Sequence, residues 1–263
     1  MTKYYKIIIW HVLVAVLAWW MWLGGQSAKF NALTGIDFKI PALAAFILIT
    51  AVLVLGYIVF QKRRWSLTAT AVIGFFFMLF FGWNWLNLSA ILIFLVFNLW
   101  SATRVRREIV ERRILNIQDA FYHGLTPIVF GLFVMISFAA YQSSWADQIK
   151  KANQLPNQTQ VFIQQIIDKF AGNKIQARTT GQRREVVNQV SSQVFQEFNS
   201  FLKPYFQYAP PVLAFGLFLI LWGLSFVFIW LGMAVGMILY WITKKFRVVW
   251  VENKDMAAEV LVI

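Results

Sequence analysis

The sequence contains no cysteine and only two histidines, His11 and His123. Disulfides, cysteine-ligated zinc and iron–sulfur clusters are therefore excluded within the chain, and a histidine-built metal centre is not expected. Charge is scarce as well. Charged residues make up 13% of the chain, about half of what a soluble domain carries. Acids are the scarcer kind, 11 against 24 Lys and Arg, for a formal charge of +13. Common catalytic signatures are also missing. There is no G-x-x-x-x-G-K-[ST] loop to cradle phosphate, no H-E-x-x-H and no G-x-S-x-G. No cofactor and no metal is expected from these residues.

What the chain does have is apolar surface. Hydrophobic residues make up 60% and aromatic residues 18% of its 263 positions. Apolar runs of roughly 18 residues or more mark membrane helices. They occur at Ile7–Leu23, Ile40–Phe60, Trp65–Ala102, Leu125–Tyr141 and Pro211–Thr243. The first follows Lys3 and Lys6 like a signal peptide, but no clean cleavage site comes after it, so an uncleaved span is expected. Trp65–Ala102 as one helix would measure about 57 Å, far beyond the ~30 Å hydrocarbon core. Two spans turning at Gly82–Asn87 fit instead. Pro211–Thr243 is too long for one upright span and too short for two, so a single tilted, protruding helix is expected.

The expected fold is thus an all-α polytopic membrane protein with six transmembrane helices. Lys62–Arg64, Arg104–Arg113 and Lys244–Arg247 all fall on one side with the N-terminus, which predicts cytoplasmic termini. The expected organisation is spans 1–5 in residues 1–142, an extracytoplasmic helical segment at 143–208, a sixth span at 209–246 and a tail at 247–263. The tail reads as β-prone through Val248–Val251 and Glu259–Ile263. A bacterial-type inner membrane is the expected location.

Five arginines, Arg104, Arg106, Arg107, Arg112 and Arg113, crowd the stretch TRVRREIVERR. Arg107 with Glu111 and Glu108 with Arg112 have helical i, i+4 spacing. Val110, Ile114, Ile117 and Phe121 recur as one apolar face. An amphipathic cytoplasmic helix near 103–122, resting on anionic lipid or holding a partner, is predicted. Nucleic acid is not expected, because no broad basic fold accompanies the stretch. In the outer segment, apolar spacing predicts helices at 158–171 and 182–203. Phe198 and Phe201 belong there to a lipid or partner surface. Asn157-Gln158-Thr159 matches a glycosylation sequon and is read as chance.

Gly232 and Gly236 form a G-x-x-x-G pattern that permits close helix approach, within the chain or between copies. His11 lies one turn inside the first span, where a neutral ring bonded to backbone or water is expected. Asn98 is placed to hydrogen-bond between helices. Asp119 and His123 form the one carboxylate–histidine pair on a helical face. Asp, Glu, Lys, Arg and His are absent from Ile40–Phe60, Trp65–Ala102, Leu125–Ala146 and Tyr205–Thr243, whereas proton and ion pathways usually retain them. The expected function is a non-catalytic membrane scaffold or accessory subunit binding protein partners or lipid. The alternatives are a channel or facilitator for a small solute or ion and, third, a lipid-modifying enzyme.

Overall fold

In a computed structural model of the protein the described residues are 3–26, 30–31, 35–36, 40–110, 116–142, 180–202 and 208–246. They form helices α1 (Lys3–Gln26), α2 (Ile40–Phe60), α3 (Arg63–Phe81), α4 (Trp85–Val110) and α5 (Ile117–Tyr141). Helices α6 (Thr180–Leu202), α7 (Ala209–Gly223) and α8 (Ser225–Lys245) follow. The only strands among the described residues are β1 (Phe30–Asn31) and β2 (Gly35–Ile36), paired antiparallel between α1 and α2. Six helices, α1 to α5 and α8, are long and apolar enough to cross a bilayer. The β-prone tail, the expected helix at 158–171 and the sequon lie outside the described residues.

The six long helices alternate in direction around α2, the most enclosed of them. Trp10 of α1 meets Val52 of α2, and His11 meets Thr68 of α3. Ser101 of α4 meets Gly124 of α5, and Gly236 of α8 meets Phe121 of α5. These contacts gather Lys6, Lys62, Arg64, Arg104, Arg106, Arg107, Lys244 and Lys245 at one end of the bundle. Inside hydrocarbon the hydrophobic effect does not drive helix association, so close packing and hydrogen bonds must. Aromatic rings supply much of that packing. Phe46 stacks on Phe133 with centroids 5.5 Å apart, and Trp22 lies 4.9 Å from Phe77.

Two tight turns set the antiparallel order. Between α2 and α3, Gln61 adopts φ 49° and its N–H returns to the Tyr57 carbonyl at 3.2 Å. This left-handed cap reverses the chain within two residues. Between α3 and α4, Gly82 has φ 90°, a conformation open to glycine and strained for other residues. The expected hairpin is therefore present, with its turn at Gly82–Asn84.

Three expectations differ from the structure. The arginine stretch does not begin a separate surface helix, because α4 runs without a break from Trp85 to Val110. Asn116 is then extended (φ −100°, ψ 99°) and caps α5 by accepting from the N–H groups of Gln118 and Asp119. An N-cap of this kind starts a new helix, so Ile117 and Phe121 belong to the next element and are buried there. Second, the fifth span starts not at Leu125 but at Ile117, two turns earlier, so Gly124 and Pro127 lie inside it. Neighbouring helices make such a proline tolerable in a membrane.

Third, the last apolar run is not one tilted helix. It divides at Leu224, the common cap of α7 and α8. A Gly-x-Ser sequence, Gly223-Leu224-Ser225, marks the break, as small residues commonly do at kinks. Packing supplies the reason for it. Phe218 and Trp222 of α7 hold to Phe130 of α5, while Phe228 of α8 packs edge-on against both Phe46 and Phe133. One straight helix of that length, about 50 Å, would not satisfy both contacts and remain within the bilayer.

Candidate functional site

The densest polar cluster lies inside the bundle, where α2, α3 and α4 meet. The Tyr57 hydroxyl donates to Asn98 Oδ1 at 2.6 Å. Asn98 Nδ2 donates to Thr70 Oγ1 at 2.7 Å and to the Ser66 carbonyl at 3.2 Å. Thr70 in turn donates to the Ser66 carbonyl at 2.9 Å. Asn98, Ser66 and Thr70 are all buried. Both amide protons and the amide oxygen of Asn98 are thus used, by residues from two other helices. A polar group in hydrocarbon without a partner costs several kcal/mol, about as much as the bond it lacks. Bonded in this way, the cluster fixes the rotation of three helices about their axes. All of its members are neutral groups.

Next to it, α1 is held by Trp10 and His11. Trp10 Nε1 donates to the Val52 carbonyl at 2.9 Å, and its ring fills a notch left by Gly56. The ring also packs edge-on against Tyr57. His11 Nδ1 lies 2.9 Å from the Ile7 carbonyl, and Nε2 lies 2.7 Å from Thr68 Oγ1. A carbonyl only accepts, so Nδ1 carries the proton, and in a neutral ring Nε2 then accepts from the threonine. Both ring nitrogens are engaged, one by backbone and one by a second helix.

At the opposite end of the bundle a second polar cluster closes the α3–α4 hairpin onto α5. Asn87 is fully buried and donates to the carbonyls of Gly82 at 2.8 Å and Phe81 at 3.1 Å. Its Oδ1 accepts from Gln142 Nε2 at 2.6 Å. Asn84 donates to Gln142 Oε1 and caps α4 by accepting from the Asn87 N–H at 2.7 Å. Gln142, just past the end of α5, was not singled out from the sequence. Nothing in its local context marks it, since both partners lie more than 50 residues away.

The sequence-selected surface residues lie apart from these clusters. Arg104 extends its guanidinium over the Trp100 ring, 4.5 Å from the centroid, while Arg106 and Arg107 are exposed. Arg64 over Trp65 at 4.8 Å and Lys245 over Trp241 at 5.1 Å repeat the arrangement at the same end. Arg112 and Arg113 lie outside the described residues, as does Glu111, so neither expected i, i+4 pair is described. Phe201 of α6 is 70% exposed. Phe198 belongs to the same helix, but its side chain is not among those described. His123 does not pair with Asp119. Its Nε2 turns to Glu108 Oε1 of α4, 3.7 Å away.

Gly232 and Gly236 both face inward. A Cβ on Gly232 would stand 3.1 Å from Leu125 and 3.3 Å from Thr50, and one on Gly236 would stand 2.3 Å from Phe121. Close approach of α8 to α5 and α2 uses both positions. Finally, a cavity of about 390 Å³ opens between α4, α5 and α7 near the hairpin end, lined by Leu86, Val134, Phe138, Tyr141, Pro211 and Phe215 among others. Three distant segments build it, so no local pattern announces it. Among the described residues no group of three or more His, Asp or Glu side chains is placed to hold a metal. Compared with protein-family models, curated proteins and solved structures, the chain matches none.

Proposed function

We propose that the protein is an integral membrane scaffold or accessory subunit, non-catalytic, that binds protein partners or lipid at the membrane surface. The observation that carries this reading is the division of chemistry between interior and exterior. The polar clusters inside the bundle are neutral and internally bonded, while cationic and amphipathic groups project outward. Arg106 and Arg107 are exposed at the basic end, and α6 presents Val190 and Phe201 outside the bundle. Such surfaces suit an anionic leaflet or an apolar partner face. In the same reading the basic end is cytoplasmic, as the bias of Lys and Arg toward that side supports, and the membrane is a bacterial-type inner membrane.

Cross-linking in native membranes from photoreactive residues at Arg106 and Phe201, followed by mild-detergent purification, tests the proposal. Discrete heteromeric adducts or retained anionic lipid are expected. Repeated recovery of the bare chain, or solute flux above that of empty liposomes, would overturn it.

A further inference from the structure

The cavity between α4, α5 and α7 has the properties of a lipid-chain site. Its walls are carbon: Leu86 from α4, Phe138 from α5, Ala214 and Phe215 from α7. The one side-chain hydroxyl on the aliphatic part of the wall, Ser137, already donates to the Phe133 carbonyl at 2.8 Å. Apart from the Tyr141 hydroxyl at its outer end, the wall offers an occupant little to hydrogen-bond, and a polar ligand would lose bonds of its own.

Position within the bundle supplies the second argument. The mouth lies at Tyr141 and Pro211, beside the Asn84–Asn87–Gln142 cluster that ends the helices. At the deep end Phe218 lines the cavity and packs in turn on Phe130 of α5, with centroids 5.2 Å apart. From Tyr141 to Val134, and from Pro211 to Phe218, is about 10 Å of helix. That is most of one leaflet's share, about 15 Å, of the hydrocarbon core. The cavity thus runs from the interface toward the bilayer midplane, along the direction in which acyl chains run.

Size and direction suit a chain. About 390 Å³ of free space lies along about 10 Å of helix, room for a stretch of extended hydrocarbon chain running parallel to the helices. We propose that this cavity binds an acyl chain of a membrane lipid, held from the leaflet at the hairpin end. Among the described residues the rim is made of neutral amides and aromatic rings, so selection acts on the chain rather than on headgroup charge. This site lies within the bilayer, away from the surface helices, and does not rest on the proposed scaffold function.

The test places p-benzoylphenylalanine at Phe138 inside the cavity or at Phe226 on the outer face of α8, in full-length protein reconstituted with palmitoyl-oleoyl phosphatidylcholine. After irradiation, intact-protein mass spectrometry should find a lipid adduct at position 138 at least threefold more abundant than at 226. Filling the slot with Ala214→Trp should reduce the 138 adduct at least fivefold and leave the 226 adduct unchanged. Ser137→Leu narrows the slot from the other wall and should act alike, which keeps the test decisive if one variant does not fold. Equal adducts at both positions, an adduct indifferent to filling, or cross-links from 138 to protein instead of lipid would each overturn the assignment.

Discussion

Trp10 and Gly56 meet as ring and notch: a Cβ built on Gly56 would stand 2.1 Å from the Trp10 indole. Gly56→Ala should therefore force α1 away from α2 and break the bond from Trp10 to Val52. Overpacking of this kind costs about 1–3 kcal/mol. Thermal unfolding in detergent should show a lowered midpoint. The control is Gly216→Ala, whose Cβ meets nothing within 4 Å; it should be neutral or raise stability by up to about 1 kcal/mol.

Asn98 should be worth more together with Tyr57 than apart from it. Asn98→Ala leaves the Tyr57 hydroxyl without its acceptor and the Thr70 oxygen without its donor, and should cost about 1–3 kcal/mol. Tyr57→Phe removes one of those orphaned groups, so the double variant should cost less than the sum. A double-mutant cycle by denaturant titration should return a coupling of about 1 kcal/mol. Strict additivity would contradict the geometry.

Gly236 and Phe121 form a second tight pair. Gly236→Ala should destabilise by about 1–3 kcal/mol, and adding Phe121→Leu should recover part of that loss by vacating the space. If the single variant instead changes oligomer size with no change in stability, the glycine serves a contact between chains.

Gln142→Leu should loosen the hairpin end without unfolding the bundle. It removes the bonds to Asn84 and Asn87, so backbone amides from Gly82 to Leu88 should exchange with solvent deuterium about tenfold faster, a local loss of about 1.4 kcal/mol. Amides near Asn98 should be unaffected.

The absence of native cysteine makes sidedness directly measurable. Cysteines at Gln61, Arg106 and Phe246, all exposed at the basic end, should react with a membrane-impermeant maleimide from one side. One at Trp83, exposed at the hairpin end, should react from the other. Ser66 and Ser101 are fully buried and are unsuited to the test.

Hydropathy made the spans legible because bilayer thickness is a hard ruler. Trp65–Ala102 had to fold back on itself, and Gly82 was the residue able to turn. Asn98 was legible too, since an amide in hydrocarbon must find a partner. The break at Leu224 was not. Gly223 and Ser225 permit a kink, but only the positions of Phe130 and Phe133 on α5 require one. The same holds for the arginines. Their spacing is helical, but whether they start a helix or end one depends on Asn116, a cap that acts across a single turn. Gly56 carries no periodic signal, and its meaning lies in a ring 46 positions earlier in the chain.

Synthesis from the N-terminus imposes an order on these contacts. Helices α2 and α5 exist before α8 does, so the surface that later receives Gly232 and Gly236 first faces lipid. Thr50 stands on that surface, and its hydroxyl donates to the Ile47 carbonyl of its own helix at 2.8 Å. The unfinished bundle can wait for its last helix with that donor already bonded.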